Sequence, residues 1–152
     1  MIKRNIILLA IFVLIAGCGQ KKQQSSAPNE EDGLSQYLAI KDALVKTNAK
    51  ETQRLAKTFL ATNTNPKLNS VLEEIAATTN VDKQRLAFEK LSEEMYTIVK
   101  SDGATTLLYK QYCPMAFNNK GAFWLATEKE INNPYFGNLM LHCGSVQETI
   151  SQ

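Results

Sequence analysis

The chain has 152 residues, of which 44% are hydrophobic and 21% charged, and its formal net charge is +2. About 120 residues follow a polar N-terminal stretch, a length that suits one domain with one hydrophobic core. Lys3 and Arg4 fall in a predicted signal peptide, and without them the 17 basic residues become 15, equal to the 15 acidic ones. The mature chain would carry no excess positive charge, and we therefore expect no nucleic-acid partner.

The N-terminus resembles the signal sequence of a bacterial lipoprotein. Two basic residues precede an almost unbroken apolar run over residues 6–16, which is too short to span a bilayer as a stable helix. The run ends in Ile-Ala-Gly-Cys, similar to the lipobox whose cysteine is acylated and becomes the mature N-terminus. We predict that residues 1–17 are a signal peptide and that Cys18 is the lipid attachment site. The alternative is an uncleaved anchor with an incidental cysteine.

A lipid-modified Cys18 would hold the protein on a membrane without a spanning helix, because two acyl chains suffice for stable anchoring. Gly19 follows the cysteine, and no aspartate there argues for retention in the inner membrane. We expect the outer membrane, facing the periplasm, with the inner membrane as the alternative. Residues 18–33 are nearly free of large apolar side chains and predict a flexible tether.

Four segments carry apolar residues at spacings of three and four, the period of an amphipathic helix. These residues are Leu34, Tyr37, Leu38, Leu44 and Val45; Leu55, Ala56, Phe59 and Leu60; Leu68, Val71, Leu72 and Ile75; and Phe88, Leu91, Met95, Ile98 and Val99.

Capping residues predict where these helices begin and end. Asn48 with Glu51 three residues later resembles a capping box, although the short break there leaves open one longer kinked helix instead of two. Pro66 fits the first turn of the third helix, the fourth should start near Asp82, and Gly103 should end it.

The fold class we predict is mainly α: an antiparallel four-helix bundle with a small C-terminal strand-and-loop cap. Short connections between amphipathic helices favour antiparallel neighbours. One domain would span residues 34–152, with the cap at about 104–152. Aromatic and branched residues in 105–113 and 122–125 predict strands, and residues 118–121 predict a turn between them.

Soft sulfur donors concentrate in this cap. Cys113 and Met115 lie in Tyr-Cys-Pro-Met, and Met140 and Cys143 lie in Met-Leu-His-Cys-Gly, which also contains the chain's one histidine, His142. Thiolate and thioether ligands select Cu(I)-like ions over hard cations. The spacing therefore suggests a soft-metal site, provided that the chain between the two motifs doubles back.

Three interpretations of these sulfurs stay open on the residues alone. Two thiolates with one or two thioethers would make a low-coordinate site for Cu(I) or Ag(I), whereas Zn(II) usually requires four donors. His142 could complete a zinc site, but on a strand it would face away from its neighbour Cys143. Alternatively, Cys113 and Cys143 form a disulfide in an oxidising compartment. The methionines could also be simple core filler.

Two other groups of side chains in the cap, an acidic pair and an aromatic cluster, are weaker candidates for a functional site. Glu128 and Glu130 could pair as acid and base, but on a lysine-rich turn we expect them to be solvated. No phosphate-binding glycine loop or nucleophile elbow is present, and we therefore do not expect an enzyme. The cap's aromatic side chains should form a small core rather than line a ligand groove; they are Phe123, Trp124, Tyr135 and Phe136.

Several motifs together resemble a domain of unknown function common in Bacteroidetes. That domain occurs in small lipoproteins and at the end of periplasmic adaptor proteins of copper/silver-type heavy-metal efflux pumps. The resemblance covers roughly residues 34–149. The motifs that carry it are Tyr-Leu-Ala-Ile-Lys-Asp-Ala-Leu-Val (37–45), Glu-Met-Tyr (94–96), Tyr-Cys-Pro-Met-Ala (112–116), Asn-Lys-Gly-Ala-Phe-Trp-Leu (119–125), Asn-Pro-Tyr-Phe-Gly (133–137) and Met-Leu-His-Cys-Gly (140–144).

The resemblance implies an association with copper or related metals. Carried over to this chain, the metal ligands would be Cys113, Met115, Met140 and Cys143, with His142 optional. The resulting hypothesis is a lipid-anchored periplasmic domain that binds Cu(I) or Ag(I) and serves efflux or buffering, with an efflux-pump adaptor as its partner. The alternative is a disulfide-stapled, non-catalytic interaction domain that docks on an envelope or efflux partner.

Overall fold

The structure, a computed structural model, describes residues 30–151, with the backbone alone for residues 30–32. Predictions for the signal peptide, for Cys18 and for most of the tether concern residues outside this range. Nine elements follow in chain order. They are α1 (Glu30–Val45), α2 (Ala49–Thr62), α3 (Pro66–Ala76), α4 (Val81–Asp102), β1 (Leu108–Cys113), a helical turn α5 (Ala116–Asn119), β2 (Ala122–Ala126), a 3₁₀ turn (Gly137–Leu139) and β3 (Ser145–Ile150).

Asparagine side chains cap three of the four long helices. The Oδ1 atom of Asn48 accepts a hydrogen bond from the backbone nitrogen of Glu51 at 3.1 Å, and Asn65 and Asn80 cap α3 and α4 in the same way. Since Asn48 starts a new helix, α1 and α2 are separate, and the single kinked helix is wrong. The Glu51 carboxylate bonds to Arg54 instead of returning to Asn48, so the capping box is half formed.

Helix α1 begins at Glu30, before the expected end of the tether at residue 33. Apolar periodicity misses this turn because the apolar stripe starts only at Leu34. Helix α4 ends at Gly103, whose φ of +90° is open to glycine at little cost. None of the helices among the described residues is both long and apolar enough to span a bilayer.

The four long helices pack in sequence, and α1 also contacts α4. Their buried faces form one continuous core with the cap. The structure is therefore mainly helical with a small C-terminal sheet. The antiparallel four-helix bundle stays a prediction, because contacts between pairs of helices do not define their crossing angles.

The cap is a three-stranded antiparallel sheet in the order β2-β1-β3. Strands β1 and β2 were expected, and the turn between them includes Phe117, Asn118 and Asn119, three consecutive non-glycine residues with positive φ. Strand β3 was not expected. Its side chains alternate in burial, but four of its six residues are polar, as suits an edge strand, and its sequence therefore shows little apolar alternation.

The sheet is fastened to the helices through buried aromatic residues. Trp124 is fully buried and Tyr135 is 5% exposed, which confirms that these two belong to the core of the cap. Tyr37 of α1 stacks on Phe88 of α4, with ring centroids 5.1 Å apart. The ring of Phe88 also lies 6.0 Å from that of Tyr135, centroid to centroid, so these aromatic side chains join the cap to the helices.

Glu128 was expected to be a solvated side chain, but in the structure it is paired with a buried cation. It forms an ion pair with Lys41 of α1, which is 1% exposed, and Asp42 lies 2.9 Å from the same ammonium group. Burial opposes ionisation of Glu128, but the hydrogen bond and charge of Lys41 outweigh it and lower the pKa of the carboxyl. The expectation that Glu128 is solvated is wrong, because its cation comes from a helix 87 residues earlier.

Candidate soft-metal site

Two elements distant in sequence bring Cys113 and Cys143 together. Cys113 is the last residue of β1, faces the core and is fully buried. Cys143 lies in the loop that leads into β3, half-buried and packed against the core. Because β3 pairs with β1, this loop is returned to the end of β1. The two Sγ atoms are 3.0 Å apart.

This distance leaves two chemical outcomes within small side-chain movements. A disulfide requires the sulfurs to approach to about 2.05 Å. A linear ion between two thiolates requires them to separate to roughly 4.6 Å, twice a metal–sulfur bond of about 2.3 Å. Both cysteines are free thiols in the structure. The pair can therefore act as a dithiol that either oxidises or shares one ion.

The loop that carries Cys143 is held by Asn133, which is fully buried. Its Nδ2 atom donates to the carbonyl oxygen of Cys143 at 2.7 Å, and its backbone nitrogen donates to Leu141 at 2.8 Å. On the other side, its Oδ1 accepts from the backbone nitrogens of Tyr135 and Phe136, at 2.8 and 3.3 Å. One side chain thus joins two successive loops.

Gly144 allows the loop to lie close to the sheet. Its φ is +145°, and a Cβ at this position would lie 2.8 Å from the carbonyl oxygen of Tyr112 and 3.2 Å from the ring of Trp124. Any side chain here would strain the backbone and push the loop outward. The residue after Cys143 therefore permits the sulfur to reach Cys113.

The other three expected ligands are not joined to the thiols. Met115 precedes α5 and is 48% exposed. Met140 is half-buried, and its carbonyl oxygen accepts from the nitrogen of Cys143 at 3.1 Å. Within the part of the chain that the structure describes, the hydrogen bond of each cysteine sulfur is to the other cysteine, and neither thioether takes part.

His142 is exposed, and its Nδ1 atom lies 2.8 Å from the carbonyl oxygen of Ile131. A carbonyl oxygen only accepts, so Nδ1 is the donor of this hydrogen bond, and Nε2 is the ring nitrogen that the bond does not use. The residue lies in a turn before β3, so the argument that it faces away from Cys143 on a strand is wrong. Among the described residues no group of three or more His, Cys, Asp or Glu side chains could hold a metal ion.

The donor set fits a soft ion of low coordination better than it fits zinc. Two thiolates satisfy a two-coordinate ion, whereas a structural zinc site needs two further donors. The hydrogen bond between the Cys143 thiol and Cys113 favours the protonated form of Cys143, and it raises the pKa of that thiol, with burial and the charge interaction with Cys113 adding to the effect. An ion that bound to this thiolate would have to displace a proton held more firmly than usual.

Sequence reasoning missed three residues that shape the site. Asn133 stands in an Asn-Asn-Pro string, a composition typical of turns, and no periodicity marks an asparagine that bonds across two loops. Gly144 follows Cys143 directly, and an isolated glycine beside a strand is itself a signal of close backbone approach. A third residue is Arg85 of α4, which is 6% exposed and donates from Nε to the carbonyl oxygen of Pro134 at 3.0 Å.

Comparison with known proteins gives one match. Residues 34–106 match the model of a family described as protein of unknown function (DUF3347). This range covers the four long helices from Leu34 onward and ends before β1, so Cys113 and Cys143 lie outside the matched part. No curated protein matches the chain, and no solved structure matches it. The helical part thus resembles a domain of unknown function.

Proposed function

We propose that the chain binds one soft monovalent ion, Cu(I) or Ag(I), between the thiolates of Cys113 and Cys143. The observation that supports this most strongly is their separation of 3.0 Å across 30 residues of sequence. Two thiolates brought together by a folded sheet lose little further entropy when an ion joins them. The ion is cargo rather than a resident cofactor, and no catalysis is proposed.

The surroundings support soft-ion chemistry. Met115 and Met140, on the segments next to the two cysteines, are proposed as thioether donors that approach once the ion is bound. His142 remains an optional ligand through its free Nε2 atom. Zinc is disfavoured, because the described residues hold no third His, Cys, Asp or Glu beside the thiols.

The proposed cellular role follows from the N-terminus and from the resemblance to efflux-associated domains. Acylated Cys18 would anchor the protein to the outer membrane, or to the inner one, with the domain in the periplasm. There it would buffer the ion or pass it to the periplasmic adaptor of a heavy-metal efflux pump. Cu(I) and Ag(I) are the cargo that such an adaptor would share.

Competition with a chromophoric Cu(I) chelator tests this proposal. The chain from residue 19 onward, kept reduced and anaerobic, should bind one Cu(I), and Cys113→Ser or Cys143→Ser should each weaken binding at least a hundredfold. Met115→Leu and Met140→Leu should each weaken it less, by about tenfold, because two thiolates already satisfy a two-coordinate ion and the neutral thioethers only add to them. Met95→Leu is the matched control, because Met95 is a buried core residue of α4. Unchanged binding in Cys113→Ser would end the proposal.

The second candidate is a domain stapled by a disulfide between the same cysteines, which docks on an envelope partner. The separation of 3.0 Å and the oxidising compartment favour it. Such a bond would close a loop of about 30 residues and contribute roughly 3–4 kcal/mol. Thiol titration of protein isolated from the periplasm without reductant separates the two, since a stapled domain yields no free thiol and resists Cu(I).

A further inference from the structure

The thiol pair depends on a loop with little regular structure of its own. Residues 140–143 form turns before β3, and the Sγ of Cys143 lies beside Cys113 only while this loop holds its position. Cys113 is fixed by the ladder of β1 and β2, where it pairs with Ala122. The pairing of β3 with β1 brings the loop near Cys113, and contacts to the loop fix the position of Cys143.

Asn133 supplies those contacts from a fully buried position. Its amide nitrogen bonds to the carbonyl oxygen of Cys143 itself, at 2.7 Å. Its amide oxygen is fixed at the same time by the backbone nitrogens of Tyr135 and Phe136. The loop that contains Asn133 is hydrogen-bonded to α4, because Arg85 donates to the carbonyl oxygen of Pro134. Two hydrogen bonds, linked by the peptide bond between Asn133 and Pro134, thus connect α4 to the backbone of Cys143.

We propose that Asn133 is a positioning residue that places the Cys143 thiol beside Cys113. Its role for ion binding rests on the proposed function, whereas its role in bringing the thiols together does not. Asn133 does not touch the ion. It acts by raising the effective concentration of one thiol relative to the other, which favours a disulfide and a two-thiolate ion site equally.

Asn133→Asp tests whether the hydrogen bond to Cys143 positions the thiol or only adds to the stability of the fold. Aspartate keeps the oxygen that accepts from Tyr135 and Phe136, but it has no amide hydrogen for the carbonyl oxygen of Cys143. Asn133→Ser is the uncharged second variant, since its hydroxyl still accepts from the nearby backbone but does not reach Cys143. It also replaces the aspartate variant if that one does not fold.

Gln84→Glu is the matched control. Gln84 is equally buried, and its amide nitrogen donates to the carbonyl oxygens of Ala49 and Thr78, at 2.9 and 2.8 Å. It therefore joins two segments as Asn133 does, but both lie in the helical part. The same amide-to-carboxyl change is made there without touching the loop of Cys143.

The measurement is the equilibrium constant between the dithiol and the disulfide in a glutathione redox buffer, with Cu(I) affinity measured in parallel. Two thiols are oxidised to one disulfide while one oxidised glutathione is reduced to two molecules of glutathione, so electrons and protons balance. We expect both Asn133 variants to lower this constant about five- to tenfold, which is the worth of one hydrogen bond. Gln84→Glu should lower the melting temperature but leave the constant unchanged.

The inference is overturned if the constant in Asn133→Asp and Asn133→Ser equals that of the parent. It is also overturned if Gln84→Glu lowers the constant as much, because the effect would then be general loosening. If the parent fails to bind Cu(I) while the Asn133 variants still lower the constant, the positioning role stands and the proposed function fails.

Discussion

The hydroxyl oxygen of Tyr37 in α1 accepts a hydrogen bond from the backbone nitrogen of Leu125 in β2, at 3.0 Å. The same hydroxyl lies 2.8 Å from the Oγ atom of Ser92 in α4. One side chain therefore connects two helices to the sheet whose central strand ends at Cys113. Burial, only partly offset by these hydrogen bonds, raises the pKa of Tyr37 well above its usual value.

Replacing Tyr37 by phenylalanine should lower the free energy of unfolding by about 1–3 kcal/mol, because the buried nitrogen of Leu125 loses its acceptor. Urea unfolding followed by circular dichroism measures the change. Tyr96→Phe is the control, since the hydroxyl of Tyr96 bonds to Glu148 nearer the surface, at 2.7 Å, and should change stability by less than about 1 kcal/mol. Equal losses in the two variants would show that the buried contact adds nothing.

The ion pair of Lys41 and Glu128 predicts an acid-sensitive contribution to stability. The pKa of Glu128 is lowered in the folded state, so its contribution is complete above the ordinary carboxyl pKa of about 4.3. It is lost as the pH falls through the lowered folded value. Glu128→Gln should lower the free energy of unfolding by about 1–3 kcal/mol at neutral pH, since the buried ammonium of Lys41 loses one of its two carboxylate partners and keeps Asp42.

Urea titrations of the Glu128→Gln variant across pH 2–7 test this, and its stability should depend less on pH than that of the parent. Glu130→Gln is the control, because Glu130 is exposed and lies in the same turn. Parallel pH profiles in the parent and in Glu128→Gln would contradict the assignment.

The raised pKa of the Cys143 thiol predicts slow alkylation near neutral pH. Because the hydrogen bond that the Cys143 thiol shares with Cys113 is the largest cause, Cys113→Ala should return the pKa of Cys143 toward its ordinary value. The rate of reaction with iodoacetamide, measured against pH, should then reach its midpoint at lower pH in the variant than in the parent.

The raised pKa of the Cys143 thiol predicts how stability and Cu(I) affinity change with pH. The reduced fold should lose stability as the pH rises from the ordinary thiol pKa of about 8.5 to the raised folded value. Cu(I) affinity should increase with pH over the same range, because fewer protons remain to be displaced. An alkylation midpoint that is identical in Cys113→Ala and in the parent would refute the coupling of the two thiols.

Gly144→Ala should separate the two thiols. The added Cβ would lie 2.8 Å from the carbonyl oxygen of Tyr112, and the φ of +145° disfavours any side chain. We expect the strained backbone alone to lower the free energy of unfolding by about 1–3 kcal/mol. We also expect Cu(I) affinity to fall as the loop shifts. Gly103→Ala is the matched control, because its φ is +90° but its Cβ would meet nothing within 4 Å. Loss of Cu(I) affinity in both variants would show that strain, rather than contact, is responsible.

Local signals predicted the helical part of the fold well. Asn48 and Pro66 start helices and Gly103 ends one, because capping and fixed φ depend only on nearby backbone atoms. The buried residues Phe88 and Leu91 followed from the period of α4 in the same way.

Local sequence signals could not predict contacts between segments that are far apart in the chain. Lys41 is buried because Glu128 meets it from the cap, and nothing around either residue marks the other. Strand β3 exists because β1 offers it an edge, and its own polar residues give little alternation. The two cysteines could be chosen by their chemistry, but their approach to 3.0 Å depends on Asn133 and on that edge strand.

X-ray absorption at the copper edge tests the two-thiolate site most directly. Cu(I)-loaded protein should show a coordination shell of sulfur, with at least two sulfur atoms for each copper. That shell should lose a sulfur in Cys143→Ser and should keep the two thiolate sulfurs in a variant carrying both Met115→Leu and Met140→Leu. A shell of nitrogen and oxygen, or a spectrum unchanged by Cys143→Ser, would contradict the site.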